Sequence, residues 1–156
     1  SAVNFSDASY KLFSGRVPMI PGCGSATEVV EQYSKGANLC KIFPARQLGG
    51  PAFVKAIDPA IHKIVSLVPT GGTNSENIPA YIDAGVLVLG ASFSMIEKAT
   101  IAKIVEEQDY DLLAEEFKAV KVLVDGMRKE KWPGLDFARA QVELISQVTG
   151  RDFNIG

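Results

Sequence analysis

Short continuous apolar runs alternate with amphipathic stretches along residues 17–90. Val17–Ile20 is the first run, a strand closed by the turn residues Pro21-Gly22. Ser25 and Glu28 have capping-box spacing, so a helix is expected from there to about Lys35, with Gly36 as its stop. Asn38–Phe43 reads as the second strand and Pro51–Ala56 as a short helix with Pro51 in its first turn. Ile64–Val68 is the third strand and ends in Pro69-Thr70-Gly71-Gly72. Thr73 and Glu76 repeat the capping-box spacing, and the helix after them carries Ile78, Tyr81 and Ile82 at helical intervals and stops at Gly85. Val86–Leu89 is a fourth strand, ending in Gly90-Ala91-Ser92. Ahead of these units, Ala2–Phe5 is a partial strand. A short helix is expected around Ser6–Leu12, capped by Ser6 or Asp7 and ended by Gly15.

Successive strand–loop–helix units predict an α/β fold of parallel strands joined by helical crossovers. The strands are apolar without alternation, as expected of a parallel sheet covered on both faces. The pattern alone is compatible with a doubly wound sheet or with a (β/α)8 barrel. No strand pattern follows Leu89. Residues from Thr100 to about Glu130 read as helix, with Leu112, Leu113, Phe117, Val120, Val124 and Met127 at three- and four-residue steps. Trp132-Pro133-Gly134 breaks it, and a last helix is expected over Asp136 to about Val148. The division expected is therefore 1–99 as parallel β/α units and 100–156 as a helical extension packed on them.

Composition narrows the partners. The 156 residues carry 16 Lys and Arg against 18 Asp and Glu, a net charge of −2, which leaves no basic face for nucleic acid or a membrane surface. No apolar run approaches the ~20 residues that span a bilayer. The first residues carry no basic stretch followed by an apolar one, so no secretory signal is expected in them and a cytoplasmic setting is. The two cysteines, Cys23 and Cys40, have neither a second Cys nor a His at metal-ligand spacing, and the single His62 builds no zinc site. No metal is expected.

Lys41 is the position that calls for a chemical reason. Alternation puts Leu39, Lys41 and Phe43 on one face of the strand, and Cys40 and Ile42 on the other. A desolvated lysine favours the neutral amine, the form that attacks carbonyls. The plain alternative is a lysine whose ammonium snorkels to water or meets a carboxylate. Thr70-Gly71-Gly72 follows the next strand and precedes a helix, so its N–H groups can approach an anion. Gly90-Ala91-Ser92 follows the strand after that, and Ser92 offers a hydroxyl and an N–H. Either loop is also an ordinary glycine turn. Their order raises all three, because barrel active sites lie at the C-terminal strand ends with phosphate gripped by late loops. Arg16 and Arg46 lie near strand or loop ends, where either could meet an anion or simply be solvated. His62 reads as a surface residue and Trp132 as packing. Glu106, Glu107, Asp109 and Asp111 read as a solvated acidic face.

The motifs I-P-G at Ile20–Gly22, K-I-F-P-A at Lys41–Ala45, P-T-G-G at Pro69–Gly72 and G-A-S-F at Gly90–Phe93 occur in a fixed order. Together they resemble the aldolases that cleave 2-keto-3-deoxy-6-phosphogluconate, and often 4-hydroxy-2-oxoglutarate, over about residues 1–100. The resemblance implies a class I aldolase on a (β/α)8 barrel, a homotrimer in the usual case, with no cofactor and a small keto-acid phosphate as its partner. Lys41 falls on the Schiff-base lysine. Thr70, Gly71, Gly72, Gly90 and Ser92 fall around the substrate and its phosphate.

Three departures accompany it. The chain matches from about the fourth β/α unit onward, so the stretch that carries the family's acid/base glutamate has no counterpart here. Arg46 stands where the family usually has glutamate, and Ala91 where it has glycine. The helical segment from about Thr100 exceeds what closes a barrel. The expectation is the C-terminal half of a barrel, completed by a preceding segment or by a second chain. The alternative is a phosphate-binding or assembly module without turnover.

Overall fold

In the computed structural model, residues 5–13, 15–37, 39–57, 59–136, 139 and 143 are described. Among them, three short parallel strands form one sheet in the order β1 (Gly22–Cys23), β2 (Leu39–Ile42), β3 (Ser66–Pro69). Gly22 and Val68 flank Lys41 on either side, and Cys40 pairs with Leu67. Around them stand α1 (Asp7–Phe13), α2 (Ala26–Ser34), α3 (Gly50–Ala56), α4 (Pro59–Ile64), α5 (Ile78–Asp83), α6 (Lys98–Glu107) and α7 (Tyr110–Lys131). The strand–helix alternation is the predicted α/β pattern of parallel β/α units.

Helices α2 to α5 cover one face of the sheet. Cys23, Cys40, Ile42 and Leu67 meet Val29 of α2, Val54 of α3, Ile61 of α4 and Tyr81 of α5 in one buried cluster. Cys23 and Cys40 are both free thiols, set diagonally on adjacent strands. A second cluster joins Ile78 and Ile82 of α5 to Met95 and to Val124 of α7, with Trp132 packed at its margin. Helix α2 starts as its sequence predicts. The N–H of Glu28 donates to Ser25 Oγ at 3.3 Å, and Glu28 Oε2 reaches back to accept from the N–H of Gly24 at 2.7 Å. Gly36 then takes a φ of +99°, the left-handed geometry that ends the helix. Ser6 accepts from the N–H of Ser9 at the start of α1.

Several expectations are corrected. The run Val17–Ile20 is not a strand; pairing begins only after Pro21, at Gly22. Pro18 and Pro21 have no N–H to give a ladder, whereas the carbonyl of Pro21 accepts from the N–H of Lys41 at 2.7 Å. Gly22, read as a turn residue, is thus the strand residue opposite Lys41. Ile64 belongs to α4, and the third strand starts at Ser66. Val86–Leu89 forms no ladder. Just beyond it, Gly90 makes an isolated parallel bridge with Thr70, the residue after β3, and its N–H donates to Pro69 O at 2.9 Å. Upstream, the Leu87 carbonyl accepts from the Arg128 guanidinium of α7 rather than from a strand.

The Thr73–Glu76 capping box does not form. Asn74 and Asn77 exchange side-chain and backbone hydrogen bonds at 3.0 Å each, and α5 begins at Ile78. The helical stretch from Thr100 divides in two, because Gln108 turns left-handed at φ +54° and Asp109 Oδ1 accepts from the N–H of Leu112 at 2.9 Å. Asp109 is a helix cap and not one more solvated carboxylate. His62 is half-buried in α4, and its Nε2 lies 2.9 Å from the Val54 carbonyl of α3. The partial strand over Ala2–Phe5 and the helix over Asp136–Val148 fall mostly outside the described residues. No described helix is long and apolar enough to cross a membrane.

Candidate active site

The strand β2 builds the site by alternation. Cys40 and Ile42 are fully buried toward the helices, while Leu39 and Lys41 are half-buried on the opposite face. Lys41 is therefore less enclosed than its apolar run suggests. Its Nζ stands 4.7 Å from the centroid of the Phe43 ring, the next side chain on the same face. Gly22 beside it has no side chain, which leaves that flank of the amine open. Among the described residues no carboxylate pairs with Lys41. Behind it, hydrogen bonding to Cys23 and burial push the Cys40 thiol well above the usual thiol range. Cys40 stays protonated and is no rival nucleophile.

The loops at the C-terminal strand ends are tied to this face. The N–H groups of Ala45 and Arg46 donate to the carbonyls of Thr70 and Gly71 at 2.8 and 3.1 Å. Gly71 has φ +89°, and a Cβ there would lie 3.4 Å from the Phe43 ring. Gly72 has φ +79°, and a Cβ there would lie 2.5 Å from Cβ of Arg46. Both glycines are required by conformation, and Gly72 also by close approach. Phe43 therefore stands between the lysine and the first glycine loop.

Thr73 joins the two glycine loops. Its Oγ1 donates to Gly90 O at 2.7 Å, and its own carbonyl accepts from Ser94 Oγ at 2.7 Å. It is 1% exposed. Asn77 Nδ2 donates to Gly72 O at 2.8 Å. Ser92 is exposed, and its Oγ accepts from the N–H of Ser94 at the start of a 3-10 turn over Phe93–Met95. The N–H groups of Gly72, Thr73 and Ser92 donate to no group among the described residues.

The structure thus brings Lys41 together with Gly71 through Phe43, and Thr70 and Gly72 together with Gly90 and Ser92 through Thr73 and Ser94. Arg16 lies apart in sequence and structure, exposed in the turn after α1. Sequence reasoning missed Thr73, Asn77 and Ser94 as braces. A threonine directly after two glycines was the one visible signal, and it was read as a helix cap. No group of His, Cys, Asp and Glu among the described residues could hold a metal ion.

A family model for KDPG and KHG aldolase matches residues 6–115. The 2-dehydro-3-deoxy-phosphogluconate aldolase of Treponema pallidum is 39% identical over 87 residues, covering 55% of this chain and 40% of that protein. The enzyme of the same name from Pseudomonas aeruginosa is 36% identical over 86 residues, 54% of this chain and 38% of that protein. The chain thus matches less than half the length of these curated relatives. Among solved structures, KDPG aldolase from Legionella pneumophila, with pyruvate captured at low pH as a covalent carbinolamine intermediate, superposes with a TM-score of 0.58. It is 28% identical, and the match covers 76% of this chain and 56% of that one.

Proposed function

Since this chain belongs to the KDPG and KHG aldolase family, we propose that it carries the Schiff-base half of a class I aldolase that cleaves 2-keto-3-deoxy-6-phosphogluconate. Pyruvate and glyceraldehyde 3-phosphate are the products, and 4-hydroxy-2-oxoglutarate is a second substrate. The observation that carries the reading is Lys41, held in K-I-F-P-A on the uncrowded face of β2 and linked through Phe43 to the Gly71 loop.

Lys41 Nζ attacks the C2 ketone and forms a carbinolamine, which loses water to give an imine. The protonated imine draws the electron pair of the C3–C4 bond as that bond breaks, and the C4 hydroxyl loses its proton to become the aldehyde. The resulting enamine takes a proton at C3, and water then releases pyruvate and the free amine. The imine is its own electron sink, so neither metal nor cofactor belongs to the proposal. Thr70, Gly71, Gly72, Gly90 and Ser92 hold the substrate and its phosphate, the undonated N–H groups of Gly72, Thr73 and Ser92 facing the oxyanion. The proton shuttle comes from outside the described residues, as does the rest of a barrel of which residues 1–99 form the C-terminal half and 100–156 a packed extension. A cytoplasmic homotrimer, or completion by a preceding segment, belongs to the same proposal.

The test is pyruvate release from 2-keto-3-deoxy-6-phosphogluconate by the full-length protein, read through lactate dehydrogenase and NADH. Turnover that disappears in Lys41→Ala supports the reading; turnover that survives the substitution rejects it. The second reading, a phosphate-binding or assembly module, is favoured by the lack of a carboxylate paired with Lys41 among the described residues. It predicts sugar-phosphate binding with no pyruvate released.

A further inference from the structure

We infer that Arg46 is a specificity-determining residue whose guanidinium receives the phosphate of the aldehyde half of the substrate over the Thr70-Gly71-Gly72 loop. Three features of its placement carry this. Its backbone is fixed to the loop, with its N–H on the Gly71 carbonyl at 3.1 Å and the neighbouring Ala45 N–H on Thr70 at 2.8 Å. Its aliphatic stem lies along Gly72: Cβ, Cδ and Cγ fall 2.5, 2.9 and 3.2 Å from where a Gly72 Cβ would be. The guanidinium begins one bond beyond that Cδ. Its charge is also uncommitted, because no described carboxylate pairs with it although the chain holds 18 acidic residues.

The chemistry follows from those features. A guanidinium presents a planar fork that matches a phosphate bidentately. A stem already packed on a glycine loses less rotamer freedom when it binds than a free surface arginine does. The N–H groups of Gly72 and Thr73 beside it are undonated among the described residues, so one oxyanion can be met by charge and by backbone dipoles together. Lys41 lies on the same face, reached through Phe43 and Gly71, which suits a substrate that extends from a reacting ketone to a charged far end. The inference rests on the aldolase reading for the identity of the ligand, and on the geometry alone for the role of Arg46 as an anion-binding cation.

The experiment measures binding of glycerol 3-phosphate to the full-length protein by calorimetry at low and moderate salt, for the wild type, Arg46→Met and Arg46→Lys. Methionine keeps an apolar stem over Gly72 and removes the charge, while lysine keeps the charge without the fork. The expected result is binding weakened about tenfold or more in Arg46→Met, partly restored in Arg46→Lys, with the salt dependence reduced in Arg46→Met. Unchanged affinity in Arg46→Met overturns the inference, as does no wild-type binding. Equal losses in both variants accompanied by a lowered melting temperature also overturn it, since the stem and not the charge would then matter. Borohydride trapping of pyruvate on the same samples separates the two claims. Trapping with an indifferent Arg46 rejects this inference alone. Arg46-dependent binding without trapping rejects the aldolase reading and leaves Arg46 as an anion site.

Discussion

Replacing Gly90 with alanine probes a point at which the two glycine loops touch. A Cβ at Gly90 would collide with Thr70 Oγ1 and lie 2.8 Å from Thr70 Cβ and 2.9 Å from its Cγ2. Carbon atoms pack best at about 3.5–4.0 Å, so the two segments must part by the better part of an ångström or Thr70 must leave its place. Such overpacking costs about 1–3 kcal/mol. Against it stands a gain of about 0.4–1 kcal/mol from restricting the unfolded chain, since Gly90 does not need a positive φ. The net expectation is a loss of about 0–2.6 kcal/mol, centred near 1.3. The cause is testable by a cycle: in a Thr70→Gly background the clash has no partner, and Gly90→Ala becomes neutral or slightly stabilising. Urea unfolding of the four proteins, with unchanged slopes, reads the coupling directly. An equal cost of Gly90→Ala in both backgrounds, within about 0.5 kcal/mol, would show that the Thr70–Gly90 approach is not what holds this loop.

Other expectations concern buried polar groups. Tyr81 is fully buried, its hydroxyl has no hydrogen-bond partner among the described residues, and burial raises its pKa; Tyr81→Phe therefore gains about 1 kcal/mol in the same urea assay, and a loss would reveal a partner for the hydroxyl. Tyr10 donates to Gln32 at 2.8 Å, and burial first pushes its pKa up to about 12. A folded-state pKa above the unfolded value means that this stability is fully present below pH 10 and drains away as pH rises toward 12. The alkaline fall in melting temperature over that window is accordingly smaller in Tyr10→Phe, and identical profiles would contradict the assignment. Arg128 is 9% exposed; its guanidinium ties α7 to the Leu87 carbonyl and also meets Asp125 one turn earlier on the same helix. Arg128→Met costs about 1.5–3 kcal/mol, the range for a hydrogen bond to a charged group, because the Leu87 carbonyl loses its donor while Asp125 keeps Lys121; a near-neutral result would remove Arg128 as the anchor of that segment.

What the sequence made legible was local. The Ser25–Glu28 box, Gly36 and Gly85 as helix stops, Pro51 in a first turn and the alternation about Lys41 all depend on neighbours within a few positions, and they recur in the structure. The failures share the opposite cause. Val86–Leu89 has strand composition, but its Leu87 carbonyl is claimed by Arg128 on a distant helix. Thr73 has the spacing of a cap, but its hydroxyl is drawn across to Gly90. Val17–Ile20 is the exception, since the missing N–H of Pro18 is itself a local fact. The site divides in the same way. Lys41 and the two glycine loops are candidates from order and motif alone, whereas the Arg46 stem on Gly72 depends on how two loops fold over one another.

The most direct test of the account is borohydride reduction of the full-length protein in the presence of pyruvate, followed by peptide mass spectrometry. The account predicts one reduced pyruvate adduct on Lys41 that is absent without pyruvate and absent in Lys41→Ala. An adduct on another lysine, or none at a pyruvate concentration that labels a known class I aldolase, would contradict it.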